Sequence, residues 1–245
     1  MTTPLLELRQ LRAAYGRAQV LFGIDLSVSM GEVVTLLGRN GMGRSTTVKC
    51  LSGLLPVTGG TMTFNQQRTE DAYLRSIDGK TASLLGTSCR VGAIVAGLPR
   101  PQIDALTTFG NSFGMAFQIV DDLLDVTSTD EELGKPAGHD LVEGTYTLPV
   151  IRTLAAGGPE AEELRSLLVK LAPTDGSIEP VDDPDTLALA RTLLRSSASV
   201  RGSLDTARAY VEAGQRALAP YAGTEAVTAL EAAAEHLLGT VRAAA

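Results

Sequence analysis

Hydrophobic and polar positions change their period once along this chain. In the first sixty residues Leu6 and Leu8 alternate with polar neighbours, as do Ile24, Leu26 and Val28, the period-2 mark of half-buried strands. The run Glu32–Leu37 (EVVTLL) is nearly continuous in apolar character and predicts a strand buried on both faces. It leads into the glycine-rich stretch Gly38–Thr46 and a short helix through Leu51, stopped by Gly53 and Pro56. From about Thr69 the spacing becomes helical. Helices are predicted near 70–96, 102–126, 140–156, 160–171, 183–198, 200–218 and 223–242, punctuated by Pro99, Pro101, Gly134–Gly138, Gly157–Pro159 and Pro173–Pro184. No internal repeat is evident. The boundary falls near Asn65–Arg68, giving a small α/β fragment at 1–67 and a mainly α region at 68–245.

Composition narrows the function classes. The 245 residues are 44% hydrophobic and 20% charged, as in a globular protein rather than a disordered one. With 4% aromatics and no Trp, the cores must rest on Ala, Leu and Val. Only Cys50, Cys89, His139 and His236 represent their residue types, which excludes a disulfide framework and a clustered Cys/His zinc site. No apolar stretch reaches the length of a membrane span, and no basic-then-apolar leader opens the sequence, so a cytoplasmic location is expected. Charge is lopsided: residues 1–67 hold six Lys/Arg against three Asp/Glu, and residues 68–245 hold fifteen against twenty-five. An acidic helical part without a basic stripe argues against nucleic acid and suits a site that gathers divalent cations.

Two sets of residues carry candidate chemistry. Gly38 to Ser45 has the G-x-x-x-x-G-K-[ST] spacing, with Arg44 in the lysine position. Glycines there let backbone N–H groups wrap a phosphate, the following helix N-terminus adds positive potential, and Ser45 would hold Mg²⁺. Arg44 keeps the charge on a bulkier planar fork, which bears on hydrolysis more than on binding. Residues 5–64 as a whole resemble the start of an ABC transporter ATP-binding subunit, most closely of the branched-chain amino-acid branch. That resemblance implies ATP as a ligand, Tyr15 stacked on adenine, and phosphate contacts from Gly38, Asn40, Gly41, Gly43, Arg44, Ser45 and Thr46. It stops after about sixty residues, and nothing later resembles that family's Q-loop, LSGGQ signature, Walker B pair or switch histidine.

The second set is Phe117-Gln118-Ile119-Val120-Asp121-Asp122-Leu123-Leu124-Asp125. On a helix, Asp121 and Asp125 are four residues apart and Asp122 and Asp125 three, with Gln118 one turn earlier, so three carboxylates share one side. Phe113, Phe117, Val120 and Leu124 form the opposing apolar stripe. Like charges at this spacing repel, and the helix's C-terminal end already disfavours anions. A dication such as Mg²⁺ relieves both costs. Lys80-Thr81 and Lys135 lie in neighbouring segments, where two ammonium groups beside such a cluster suit diphosphate recognition. Asp140 reads as a helix N-cap, His139 as solvent-facing and His236 as an ordinary helix residue.

The stretches YLRSIDGKTASL, FGMAFQIVDDLLD, GKPAGHDL and TLPVI occur in that order between Tyr73 and Ile151. They resemble the polyprenyl (trans-isoprenyl) diphosphate synthases, more weakly onward to about Val241. The resemblance implies an all-helical bundle, usually homodimeric, that ionises an allylic diphosphate and joins it to isopentenyl diphosphate. By the same resemblance Asp121, Asp122 and Asp125 hold Mg²⁺, while Lys80, Thr81, Gln118 and Lys135 belong to the diphosphate site. Only the C-terminal half of that family's pattern is matched: the first aspartate-rich motif and the basic segment for isopentenyl diphosphate are missing. The expectation is therefore an incomplete isoprenoid-synthase bundle fused behind a P-loop fragment, inactive or impaired alone. An ATP-binding module, or a non-catalytic helical partner of an intact synthase, is the alternative.

Overall fold

The computed structural model describes residues 4–29, 32–39, 41–51, 55–64, 69–134, 136–171 and 183–244, in two compact units. The first unit lies within residues 4–64 and the second comprises residues 69–171 and 183–244.

In the first unit, β1 (Leu6–Tyr15) and β2 (Ala18–Val28) form a hairpin around Gly16-Arg17, and Gly16 takes a φ of +59° at the tip. A two-residue loop with a left-handed glycine first matches the right-handed twist of the strands it joins. Leu8 pairs with Leu26 and Leu6 with Val28, which puts the alternating apolar positions of the sequence on one face. The register shifts beyond Leu8, where Gln10 donates to Asp25 from both its backbone N–H (2.7 Å) and its side-chain amide (2.6 Å). β3 (Gly59–Phe64) adds antiparallel on the other edge, for an order β2-β1-β3. Leu6, Leu8, Leu11, Ala13, Leu21 and Cys50 of α1 (Arg44–Leu51) close a small core.

One expectation fails here. Glu32–Leu37 is no strand, and Val33 and Leu37 stand 91% and 85% exposed. A strand of that composition is stable only with hydrogen-bonded neighbours on both edges and cover on both faces. The three-stranded antiparallel sheet of this unit pairs with none of it.

The second unit is helical among its described residues. α2 (Glu70–Ile77) starts at Thr69, whose hydroxyl accepts the Ala72 N–H at 3.2 Å. A π-helical stretch, Asp78–Ala82, carries it into α3 (Ser83–Val95). α4 (Arg100–Thr127) is the long central helix, with Pro101 in its first turn, where the missing N–H costs nothing. Two short helices, α5 (Asp130–Leu133) and α6 (His139–Val142), precede α7 (Leu148–Ala156) and α8 (Gly158–Leu171). α9 (Pro184–Ser196), α10 (Ala198–Leu218) and α11 (Glu225–Ala244) complete the unit. The single helix expected over 140–156 is thus divided, with Gly144 at φ +70° in the break and Pro149 in the first turn of α7.

α4 packs between α3 and α10. Its buried face (Phe109, Met115, Ile119, Val120, Leu123) joins Tyr73, Leu148, Val211, Leu218 and Leu238 in one core. A second core gathers Val126, Leu141, Val150, Leu164, Leu168, Leu171, Ala190 and Leu194 around α8 and α9. The expected apolar stripe of α4 holds at Val120, whereas Phe117 is 44% exposed. Arg152 of α7 ties α2 to α10, donating to both oxygens of Glu70, to one of them at 3.0 Å, and to Thr206 Oγ1 at 2.9 Å. That guanidinium holds the Glu70 carboxyl below the usual range.

The end of the π-helical stretch and α4 approach closely because glycine lies between them: a Cβ on Gly114 would sit 2.5 Å from the Ala82 Cα. Gly114→Ala should therefore destabilise the protein by about 1–3 kcal/mol in urea unfolding, the cost of overpacking a fixed contact. An unchanged midpoint would show that the two helices can part freely.

Candidate functional site

The carboxylates of α4 open onto a cavity of about 280 Å³, lined by Tyr73, Ser76, Ile77, Lys80, Gln118, Asp121, Asp122, Asp125, Asp140, Thr145 and Thr147. Asp122 and Asp125 are 6% and 3% exposed, while Asp121 faces solvent. The i, i+1, i+4 spacing puts all three on the rim of one cavity, yet each has its own surroundings.

Asp122 is held from two sides. The Tyr73 hydroxyl donates to its Oδ2 at 2.7 Å and the Gln118 amide to its Oδ1 at 2.8 Å. Gln118 is oriented in turn by the Thr81 hydroxyl, which donates to its Oε1 at 2.7 Å. A relay of three side chains from α2, the π-helical stretch and α4 thus ends on one carboxylate. Burial pushes the Asp122 carboxyl up to about 6; its hydrogen bonds from Tyr73 and Gln118 oppose this, and the charges of Asp140 and Asp121 add to it.

Asp125 is set by the loop that follows α5. Its Oδ2 accepts the Asp140 N–H at 3.2 Å, and its backbone carbonyl accepts the Gly138 N–H at 2.8 Å. Its Oδ1 is buried without a hydrogen-bond partner among the described residues. A buried carboxylate oxygen left unsatisfied is costly unless a cation or donor meets it, and carboxylate oxygens are the ligands a hard dication takes. Among the described residues no three carboxylate, histidine or cysteine side chains are close enough to cage an ion by themselves. One or two carboxylates with water and phosphate oxygens is the usual Mg²⁺ arrangement, and the residues fit that.

Among the sequence-predicted residues, Lys80 lines the cavity, exposed, from the π-helical stretch, and Thr81 and Gln118 meet each other there. Lys135 lies outside the described residues. Asp140 is not the N-cap of α6; Gly138 is, at φ +81°, which frees the Asp140 N–H for Asp125. His139 is exposed beside Glu143, at 3.1 Å. Sequence reading passed over Tyr73, Thr145 and Thr147. A tyrosine seven residues before Lys80 carries no mark of its partner, which lies 49 residues further on.

In the first unit, Gly41 and Gly43 take φ of +88° and +85°, the Thr47 N–H donates to the Gly43 carbonyl at 2.8 Å, and Arg44 and Ser45 open α1, exposed, with Thr46 buried. Gly38 lies in the extended stretch without regular structure, and Asn40 is outside the described residues. Lys49 Nζ stands 5.5 Å from the centre of the Tyr15 ring.

Comparison with known proteins finds two families along this chain. The polyprenyl synthetase family model matches residues 57–181 and the ABC transporter model residues 21–91, overlapping over 57–91. Nonaprenyl diphosphate synthase of Mycobacterium tuberculosis is 33% identical over 202 residues, 82% of this chain and 57% of that protein. Heptaprenyl diphosphate synthase component 2 of Geobacillus stearothermophilus is 46% identical over 114 residues, 42% of this chain and 36% of that one. The crystal structure of geranylgeranyl pyrophosphate synthase from Corynebacterium glutamicum, complexed with calcium and isoprenyl diphosphate, superposes with a TM-score of 0.61 at 32% identity, over 70% of this chain and 50% of that one. The chain spans about half the length of the relatives it matches, or less. No helix among the described residues is long and apolar enough to cross a membrane.

The Asp122 carboxyl, an ordinary 3.8 raised to about 6 by folding, fixes the sign of a pH effect. The native state then binds the proton more tightly than the unfolded chain, so its contribution is present at low pH and lost as pH rises through about 6. In metal-free protein, Asp122→Asn should gain about 2 kcal/mol of unfolding free energy relative to wild type between pH 4 and 7. A pH-independent difference between the two would place Asp122 in water.

Proposed function

The chain belongs to the polyprenyl synthetase family, and on that footing we propose that the cavity on α4 binds the diphosphate of an allylic isoprenoid together with Mg²⁺. The observation that carries this reading is the buried Asp125 Oδ1, without a hydrogen-bond partner among the described residues, beside a second carboxylate, in a cavity that Lys80 also lines. Asp121, Asp122 and Asp125 would hold the ion. When bound there, Mg²⁺ joins these carboxylates to phosphate oxygens and neutralises the charge that grows on a departing diphosphate. Lys80 brings an ammonium to the same anion from the π-helical stretch, and Lys135 is assigned to it as well. Tyr73 and Gln118 keep Asp122 in one orientation, so that no reorganisation is needed when the ligand arrives. Prenyl transfer to isopentenyl diphosphate is the reaction such a site serves in the intact family. The sequence carries one aspartate-rich segment where the family pattern has two, so the chain alone should bind the diphosphate but condense slowly or not at all.

Pairing supplies what the single chain lacks in this reading. One relative bears the name of a component 2, which supports work alongside a second subunit; a homodimer in the cytoplasm is what the sequence resemblance implies. A second reading attaches to the first unit: the ABC transporter match, with the left-handed Gly41 and Gly43 before α1, supports ATP binding there.

Calorimetry with inorganic pyrophosphate should give binding in Mg²⁺ and none in EDTA. The Asp121→Ala/Asp125→Ala double variant should lose at least about tenfold in affinity, as expected when carboxylates that hold the bridging dication are removed. Equal binding by that variant, or binding indifferent to Mg²⁺, sinks the assignment. For the second reading, a fluorescent ATP analogue should give a signal that competes with ATP, and a flat titration ends it.

A further inference from the structure

Two arginines one turn apart on α9 meet the end of the aspartate helix. Arg195 donates from Nε to the Val126 carbonyl at 3.1 Å and from Nη2 to the Ser128 carbonyl at 3.0 Å. Arg191 repeats the pattern, from Nε to Val126 at 3.3 Å and from Nη2 to Ser128. Such forks meet the unpaired carbonyls and negative pole of a helix C-terminus. The two differ in one respect. Gly138 packs against Arg191: a Cβ there would lie 2.8 Å from the Arg191 Cδ and 2.9 Å from the Leu187 Cδ1. Gly138 is also the residue whose N–H holds the Asp125 carbonyl, and it caps the helix whose Asp140 N–H holds the Asp125 carboxylate.

We propose that Arg191 is a positioning residue for Asp125: its fork fixes the helix end that carries Asp125, and its stem seats the Gly138–Asp140 turn that orients the carboxylate. Arg195 serves the first purpose only. Burial, then the neighbouring Arg195, lowers the Arg191 pKa, and the charges of Asp130 and Asp125 lie close enough to oppose this. The inference rests on the proposed diphosphate site only for its consequence in binding. The geometry it describes exists without ligand.

Arg191→Lys and Arg195→Lys keep the charge and lose the fork, so a shared capping role would make them equivalent. Amide hydrogen exchange of the full chain without metal is the first readout. Exchange at Gly138 and Asp140 should quicken by about tenfold or more in Arg191→Lys and by less than about twofold in Arg195→Lys, relative to the global opening measured in each variant. The second readout is Mn²⁺ with pyrophosphate, followed by electron paramagnetic resonance. Affinity should fall about tenfold in Arg191→Lys and stay within about twofold of wild type in Arg195→Lys, a selective loss that helix capping does not produce. Equal effects of the two variants on exchange, or none, overturn the proposal. If wild-type protein fails to bind Mn²⁺ and pyrophosphate, the functional reading falls while exchange still decides the positioning role; if wild type and Arg191→Lys bind alike, the consequence for Asp125 falls alone.

Discussion

Two carboxylates buried one turn apart near the C-terminal end of α4 are the constraint around which the helical unit is arranged. Each is costly to desolvate, each repels the other, and the helix dipole opposes both. The surroundings meet that cost with specific donors, each from a different element. Asp122 receives Tyr73 from α2 and Gln118 from its own helix; the Asp125 carboxylate receives the Asp140 N–H from α6, while the Gly138 N–H holds the Asp125 backbone carbonyl. Among the described residues no group satisfies one oxygen of Asp125, a residue that borders the same cavity as Lys80. Fold and site are coupled through these contacts: packing α2, α4 and the turn before α6 is also what sets the carboxylates.

Much of this was legible in the sequence, for identifiable reasons. The 3.6-residue period and the Gly/Pro breaks located the helices of the second unit, because an amphipathic helix writes its buried face into consecutive residues. The aspartate cluster was legible for the same reason, since residues three and four apart on one helix are neighbours whatever the tertiary structure. Tyr73, the Gly138 cap and the Arg191 contact were not, because they depend on which distant segment packs where. Asp140 shows the limit well: its type and place suggested a cap, while in the fold its side chain lines the cavity and its backbone does the binding.

The first unit teaches the complementary lesson. Its two alternating segments form strands as expected, and the turn at Gly16 that joins them into a hairpin emerges only in the fold. Glu32–Leu37 has the composition of a central strand but not its partners, so it stays without regular pairing and leaves Val33 and Leu37 in water. A hydrophobic run specifies burial only where the rest of the sheet exists to bury it.

The π-helical stretch Asp78–Ala82 has a consequence for how tolerant this protein is to changes in length. Such a stretch holds one residue more than the α-helical path between the same ends, so Tyr73 and Thr81 reach their partners through a local phase offset. Excising any one residue there would let α2 and α3 fuse into an unbroken α-helix of better hydrogen-bond geometry. Because the two ends keep their places, Tyr73 would stay on its carboxylate, and the change would fall on the side chains of the stretch itself, Lys80 and Thr81. A deletion that makes the helix more regular would thus be felt at Lys80, which lines the cavity, and at Thr81, which orients Gln118, rather than in how α2 and α3 pack.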